Sequence, residues 1–194
     1  MAEFKIAVAK TIHNEGGDKY TDIPDDKGGP TKYGISLKFY RTICALGSDK
    51  VLHPNATADD IKNLTLDVAE WIYLNCFWNP NRYGQINDQD VANKVFDMSV
   101  LIGPHHANIM LQQSCNADLD PDDDDGHTIC DGIIGPNSIR DINTIYDVKS
   151  KYGIPKRWYV YEYNLILVKY FKDICNKDRS QSKFLLGWLN RVLS

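Results

Sequence analysis

The stretch Phe4-Lys5-Ile6-Ala7-Val8-Ala9-Lys10-Thr11-Ile12-His13-Asn14-Glu15-Gly16-Gly17 decides how this chain is read. Phe4, Ala7, Val8, Ala9 and Ile12 recur at helical spacing, and the pattern stops at the paired glycines, which predicts an amphipathic helix over 4–14 ending at Glu15. The next segment, Asp18 to Gly34, is dense in Asp, Gly and Pro. It has short β-prone pieces at Tyr20-Thr21 and at Thr31-Lys32-Tyr33, on either side of Asp25-Asp26-Lys27-Gly28-Gly29. That pattern predicts a small, irregular β-hairpin lobe.

Beyond the lobe the chain reads as helical. Ser36 is a natural N-cap for a helix through about Ala45, and Thr57 with Asp60 has the form of a capping box. Thr65 is placed to cap a helix from Leu66 to about Trp78, with Val68, Ile72, Leu74 and Cys76 turned inward before Asn79-Pro80 halts it. Asp88 to Ile102 carries Val91, Val95, Met98 and Ile102 on one face and is the candidate for the central buried helix. It is broken by Gly103-Pro104, and Pro104 to Cys115 continues. Further helices are expected from Gly135-Pro136 to about Lys151, from Pro155 to about Cys175, and from Ser182 to Leu193. The expectation is a mainly α protein, α+β in formal class, of about eight helices with one hairpin lobe after the first. A soft boundary near the Tyr83 to Asp90 turn divides 1–87 from 88–194, the two regions packing as one globular unit.

Hydrophobic residues make up 43% and charged residues 25% of the 194 positions, which fits a folded globular chain and not a disordered one. With a formal net charge of −4 and scattered Lys and Arg, there is no field to attract nucleic acid. Anionic polymers would not be drawn in by bulk charge either, so binding one must be a local property of a groove. No stretch reaches the length of a membrane span, and the start of the chain shows no apolar secretion signal.

Five cysteines (Cys44, Cys76, Cys115, Cys130, Cys175) have no metal-ligand spacing and read as reduced thiols, a Cys115–Cys130 bridge being the alternative. His105-His106 point about 100° apart on a helix and lack a third ligand, so a solvent-facing pair is expected. The acidic run 118–126 is not a calcium loop: with Gly126 at the sixth position, Pro121 and Gly132 would stand where an Asp and a bidentate Glu are needed. It reads as a solvated insertion. No metal or organic cofactor is implied.

On its own segment Glu15 has two readings, an exposed glutamate before a glycine cap or a catalytic acid. A glutamate in the last turn of a helix faces the negative end of the helix dipole, which disfavours a second negative charge and suits a group that must donate a proton. Gly16-Gly17 let the backbone leave sharply, with no side chains to close a cleft. Cleavage of a glycosidic bond needs such an acid, plus a second group that attacks or positions water from the other face of the sugar.

The residues around it form a specific set: His13-Asn14-Glu15-Gly16-Gly17, Tyr20, and Asp26-Lys27-Gly28-Gly29-Pro30-Thr31-Lys32-Tyr33-Gly34-Ile35-Ser36. This set resembles the signature of the glycoside hydrolase family 108 muramidases, a lysozyme-superfamily group of phage endolysins and bacterial proteins. The resemblance continues through Phe77-Trp78-Asn79-Pro80, Val95-Phe96-Asp97, Gly103-Pro104, Asp131-Gly132-Ile133-Ile134-Gly135-Pro136 and Gly187-Trp188-Leu189-Asn190-Arg191-Val192, and so covers essentially the whole chain. It implies a lysozyme-like fold, a C-terminal half that binds peptidoglycan, and Glu15 as the catalytic acid. Asp26 is the better aligned second carboxylate, with Asp25 and Asp22 open. Asp18-Lys19 stands as an insertion between the glycines and Tyr20, and Leu101-Ile102 replaces the Asn that usually precedes the central helix's glycine.

Other roles follow as expectations. Thr31 could orient a water or a sugar hydroxyl, or be simply a strand residue. Tyr20, Tyr33, Trp78 and Tyr83 could supply flat faces for sugar rings, or pack in the core. Asp97 is expected to brace the hairpin lobe through a buried hydrogen bond. The partner is the glycan strand of peptidoglycan and the protein is expected to be monomeric, made in the cytoplasm and reaching the wall through a holin or a secretion system. The alternatives are a lytic transglycosylase, and a non-catalytic wall-binding or secretion-accessory protein.

Overall fold

The computed structural model describes residues 1–23, 27–42, 53–117, 128–151, 153 and 157–194. Their contacts divide into two compact units, Glu3–Pro80 and Asn81–Ser194, the latter joined by Met1–Ala2. The expected class holds: the chain is mainly helical, with a small antiparallel sheet after the first helix.

In the N-terminal unit, helix α1 runs Phe4–Asn14 and buries Ala7, Val8, Thr11 and Ile12, the face that the apolar spacing marks. Strands β1 (Thr31–Lys32) and β2 (Ile35–Ser36) pair antiparallel, Thr31 opposite Ser36. The link between them is Tyr33-Gly34, with φ of 53° and 75°. Positive φ at both central residues is the geometry of the tight turn whose twist matches a hairpin. Thr21 joins only by an isolated bridge to Thr31. The hairpin is therefore built from 31–36, and the Tyr20-Thr21 piece is an outlying contact to it.

Helix α2 (Leu37–Thr42) follows directly, Ser36 Oγ accepting from the Phe39 amide at 3.2 Å as the expected cap. The expected end near Ala45 lies outside the described residues. At α3 (Ala58–Lys62) the Thr57 amide and hydroxyl both donate to Asp60 Oδ2, at 2.6 and 2.8 Å. Helix α4 covers Leu66–Tyr73, capped by Thr65, and runs into a π-helical turn over Leu74–Trp78. The Asn79 amide reaches back to the Leu74 carbonyl, five residues away, at 2.9 Å. That extra residue per turn corrects the inward face. It is formed by Ala69, Ile72 and Tyr73, then by Phe77 and Trp78, while Val68 is exposed and Leu74 and Cys76 are only half-buried. A regular helix would have carried the face from Ile72 to Cys76, but the wider turn delays it to Phe77.

In the C-terminal unit, α5 (Gln89–Ile102) buries every residue from Val91 to Ser99 and packs on α6 (Pro104–Cys115) and α8 (Arg157–Lys177). Asp88 caps it, accepting from the Val91 amide at 2.9 Å. Two charged residues are buried on this helix. Lys94 donates to the carbonyls of Arg191 and Val192 at 3.1 and 2.9 Å, at the end of α9 (Leu185–Leu193), where carbonyls lack helical partners. Asp97, 3% exposed, receives both arms of the Arg191 guanidinium, Nε at 2.9 and Nη2 at 3.0 Å. Asp97 is thus hydrogen-bonded to the last helix through Arg191. A buried carboxylate on an apolar helix needs a cation, and Arg191 supplies a planar fork that fits it.

The motif 131–136 is clamped by α6 as it enters α7 (Pro136–Lys151). Gln112 donates to Asp131 Oδ1 and the Ile133 carbonyl at 3.0 and 3.1 Å and accepts from the Gly132 amide at 2.8 Å. Gly132 has φ of 76°, and a Cβ there would lie 2.3 Å from the His105 ring, so only glycine fits. His105 and His106 are exposed, and among the described residues no group of His, Cys, Asp or Glu is placed to hold a metal ion. Cys76, Cys115, Cys130 and Cys175 are not joined in disulfides; Cys44 and the acidic run 118–126 lie outside the described residues. Among the described residues no helix is long and apolar enough to cross a membrane.

Candidate active site

Glu15 closes α1 as its C-cap, half-buried, with its amide on the Thr11 carbonyl at 2.9 Å. The backbone then turns through Gly16 and Gly17 at φ of 92° and 64°. Gly17 donates back to the Ile12 carbonyl at 2.9 Å, which finishes the helix, and its own carbonyl accepts from the Tyr33 amide at 3.2 Å. The two glycines thus end the helix and tie it to the hairpin turn. Only residues that tolerate a left-handed backbone can do both within so short a segment.

The turn is seated against the glutamate side chain. A Cβ on Gly34 would stand 2.7 Å from Glu15 Cγ, 2.8 Å from Glu15 Cβ and 2.6 Å from the Tyr73 hydroxyl. The bare α-carbon of Gly34 therefore walls one side of the Glu15 stem. Tyr73, 1% exposed, donates its hydroxyl to the Tyr33 carbonyl at 2.8 Å and holds the turn from beneath. Gly34 and Tyr73 are positioning residues that inspection of the sequence did not single out. For Gly34 the signal was available, since a glycine directly after a tyrosine between two short strands is a turn residue. For Tyr73 there was none, because its role depends on a contact 40 residues away.

Three other predicted residues belong to this lobe. Thr31 exchanges backbone hydrogen bonds with Thr21 at 2.8 and 2.9 Å, and its hydroxyl donates to the Gly29 carbonyl at 3.0 Å, closing the glycine loop. Tyr20 is half-buried, with its hydroxyl 3.5 Å from Asp22; desolvation, and then the Asp22 charge, hold its proton more tightly than usual. Tyr33 is half-buried, with the Lys32 ammonium 5.3 Å from its ring centre. Asp26, with its neighbour Asp25, lies outside the described residues.

Two of the proposed sugar platforms are corrected by burial. Trp78 is 4% exposed and sits edge-on to Phe4, with ring centres 5.6 Å apart. Phe4 opens α1 and Glu15 closes it, so Trp78 packs at the opposite end of the helix from the glutamate. Tyr83 is fully buried in the C-terminal unit, its hydroxyl donating to Asn108 at 2.7 Å, and desolvation pushes its ionisation far above the usual range. Neither ring has a face open to a ligand. Both follow the ordinary tendency of large aromatic side chains to fill cores.

A helix-terminal glutamate backed by a glycine turn, on a lobe set after the first helix, is an arrangement suited to glycosidic bond cleavage. Residues 8–103 match the family model described as Glycosyl hydrolase 108, a span that takes in the glutamate, the hairpin and the helices from within α1 to the end of α5, and that match marks the chain as a glycoside hydrolase. No curated protein matches. Among solved structures, Brucella abortus SagA is similar at 20% identity and a TM-score of 0.63, over 98% of this chain and 93% of that one, a likeness of fold.

Proposed function

We propose that this chain is an N-acetylmuramidase, cleaving the bond between N-acetylmuramic acid and N-acetylglucosamine in peptidoglycan. The observation that carries the reading is the Glu15 stem held between the end of α1 and the bare α-carbon of Gly34. A general acid must keep one orientation towards the leaving oxygen, and a side chain walled by backbone has little freedom to leave it. Glu15 protonates the glycosidic oxygen. Asp26, adjacent in sequence to the glycine loop that Thr31 closes, activates or positions the water, with Asp25 and Asp22 as the other candidates. Tyr20 and Tyr33 on the same lobe are the rings available to sugar. Inversion at the anomeric carbon is expected, as it is for carboxyl pairs about 6.5–9.5 Å apart.

Of the two regions, 1–87 performs the cleavage and 88–194 binds the wall. The protein acts as a monomer without cofactor, reaching its substrate through a holin or secretion system, as a phage endolysin or a secretion activator would.

The test is the Glu15→Gln variant on purified peptidoglycan, scored by new reducing ends. The amide preserves shape but has no proton to give, so cleavage should fall by about 10²–10⁴-fold with the melting temperature unchanged. Cleavage within a few-fold of the parent would remove the reading. Mass spectrometry of the products separates it from lytic transglycosylase action, which would leave anhydromuramic ends.

A further inference from the structure

We propose that the hairpin lobe holds an anion subsite, formed by Lys27, Lys38 and Arg41, that takes an oxyanion carried by the wall polymer: a carboxylate of the peptide stem or a phosphodiester of an attached chain. The inference rests on the muramidase reading for the identity of the polymer, but not for the existence of the site. A shallow, open pocket lies between the glycine loop and α2, lined by these three cations with Gly28, Gly29, Leu37 and Thr42. Among the described residues no carboxylate lines it. This stands out in a chain whose net charge is −4, where long-range attraction to an anionic polymer is absent and any recognition must be local.

The three cations are held together by the backbone. The Leu37 and Lys38 amides donate to the Pro30 and Gly28 carbonyls at 2.8 and 3.1 Å, which fixes the loop bearing Lys27 against the first turn of α2, which bears Lys38. Those amides are spent within the lobe, so recognition falls to the side chains. The Arg41 Nε donates to the Ala56 carbonyl at 2.8 Å, which fixes the guanidinium and leaves its two terminal nitrogens to fork onto an oxyanion. Like charges gathered with no carboxylate lining the pocket among the described residues repel one another, and an incoming anion relieves that repulsion. The pocket also abuts the site, since the Gly29 carbonyl accepts from the Thr31 hydroxyl at 3.0 Å.

The test uses the full chain carrying Glu15→Gln, with and without Lys27→Gln and Lys38→Gln together, in co-sedimentation with intact peptidoglycan. Both lysines are exposed, so the fold should be unaffected, and a matching melting temperature checks it. At low salt the double lysine variant should bind about 5- to 20-fold more weakly, and the difference should shrink in 0.5 M salt, as solvent-screened charge contacts do. Amidating the wall carboxyls or stripping the phosphate polymers should abolish the difference, and whichever treatment does so identifies the anion. Equal binding of the two proteins to the untreated wall, or a difference that survives both treatments together, overturns the proposal. Cleavage by the chain with native Glu15, run alongside, separates the claims. A lysine-dependent binding difference without any released reducing ends keeps the subsite and removes the muramidase reading; cleavage with lysine-independent binding does the reverse.

Discussion

Gly34 touches Glu15 with backbone alone: a methyl group on its α-carbon would stand 2.7 Å from the Glu15 Cγ. The glutamate is thereby placed by a residue that has no side chain. Gly34→Ala meets two obstacles at once, that contact and a φ of 75°. Backbone strain of this kind costs on the order of 1–3 kcal/mol. The clash adds to it, because the Glu15 stem and the buried Tyr73 hydroxyl both border the site. We expect wall cleavage to drop at least as far as stability does, and an alanine variant with parental kcat and melting temperature would show the contact to be slack.

Tyr73→Phe should separate support of the turn from the chemistry. The variant leaves the ring in place and removes the 2.8 Å hydrogen bond to the Tyr33 carbonyl. A lost hydrogen bond to a half-buried carbonyl costs about 1–2 kcal/mol. Urea denaturation should show that loss, together with a kcat reduced by a looser turn and a KM little changed. A KM effect with kcat intact would place Tyr73 in substrate binding instead.

In the C-terminal unit, Arg191→Met should be among the most destabilising single changes. It strips the cation from Asp97, leaving a 3% exposed carboxylate without its fork. Removing one partner of a buried ion pair costs about 3–5 kcal/mol. The double variant Asp97→Leu with Arg191→Met should recover most of the loss, since it leaves no uncompensated charge. Calorimetry on the three proteins decides it, and equal instability of the single and double variants would mean that Arg191 acts through packing alone.

Acid should weaken the clamp on the segment that enters α7. The Ile133 amide and the Gln112 side chain hold the Asp131 carboxyl below its ordinary value. A carboxylate whose folded value is depressed contributes stability that is fully present above the unfolded value of about 3.9, and that is lost as pH falls through the lower folded value. The melting-temperature gap between parent and Asp131→Asn should therefore be widest near pH 6 and close towards pH 2.5. A gap constant across that range would assign Asp131 a purely steric part.

Much of this was legible in the sequence because it is local. The helix that ends at Glu15, the Ser36 cap and the Thr57–Asp60 box each depend on residues within a few positions, and the structure places them as read. The π turn was not legible. Its period differs from that of an α-helix by one residue over one turn, so apolar spacing extended past Tyr73 pointed to Cys76 instead of Phe77. The partner of Asp97 was hidden for another reason: burial of an acid on an apolar helix announces that a cation must exist, but not where in the chain it lies. At the candidate site, Glu15 could be read from its own segment, whereas the hand of Tyr73 on the turn and the burial of Trp78 and Tyr83 are properties of packing.

The Asp97–Arg191 fork also bears on how the C-terminal unit folds in time. It closes a loop of 94 residues, so the chain must surrender the freedom of that whole span before the contact returns anything. Contacts of that kind tend to form after the rate-limiting step. Their strength then appears as a slow exit from the native state more than as a fast entry into it. The fork then acts as a latch on the lifetime of the folded unit.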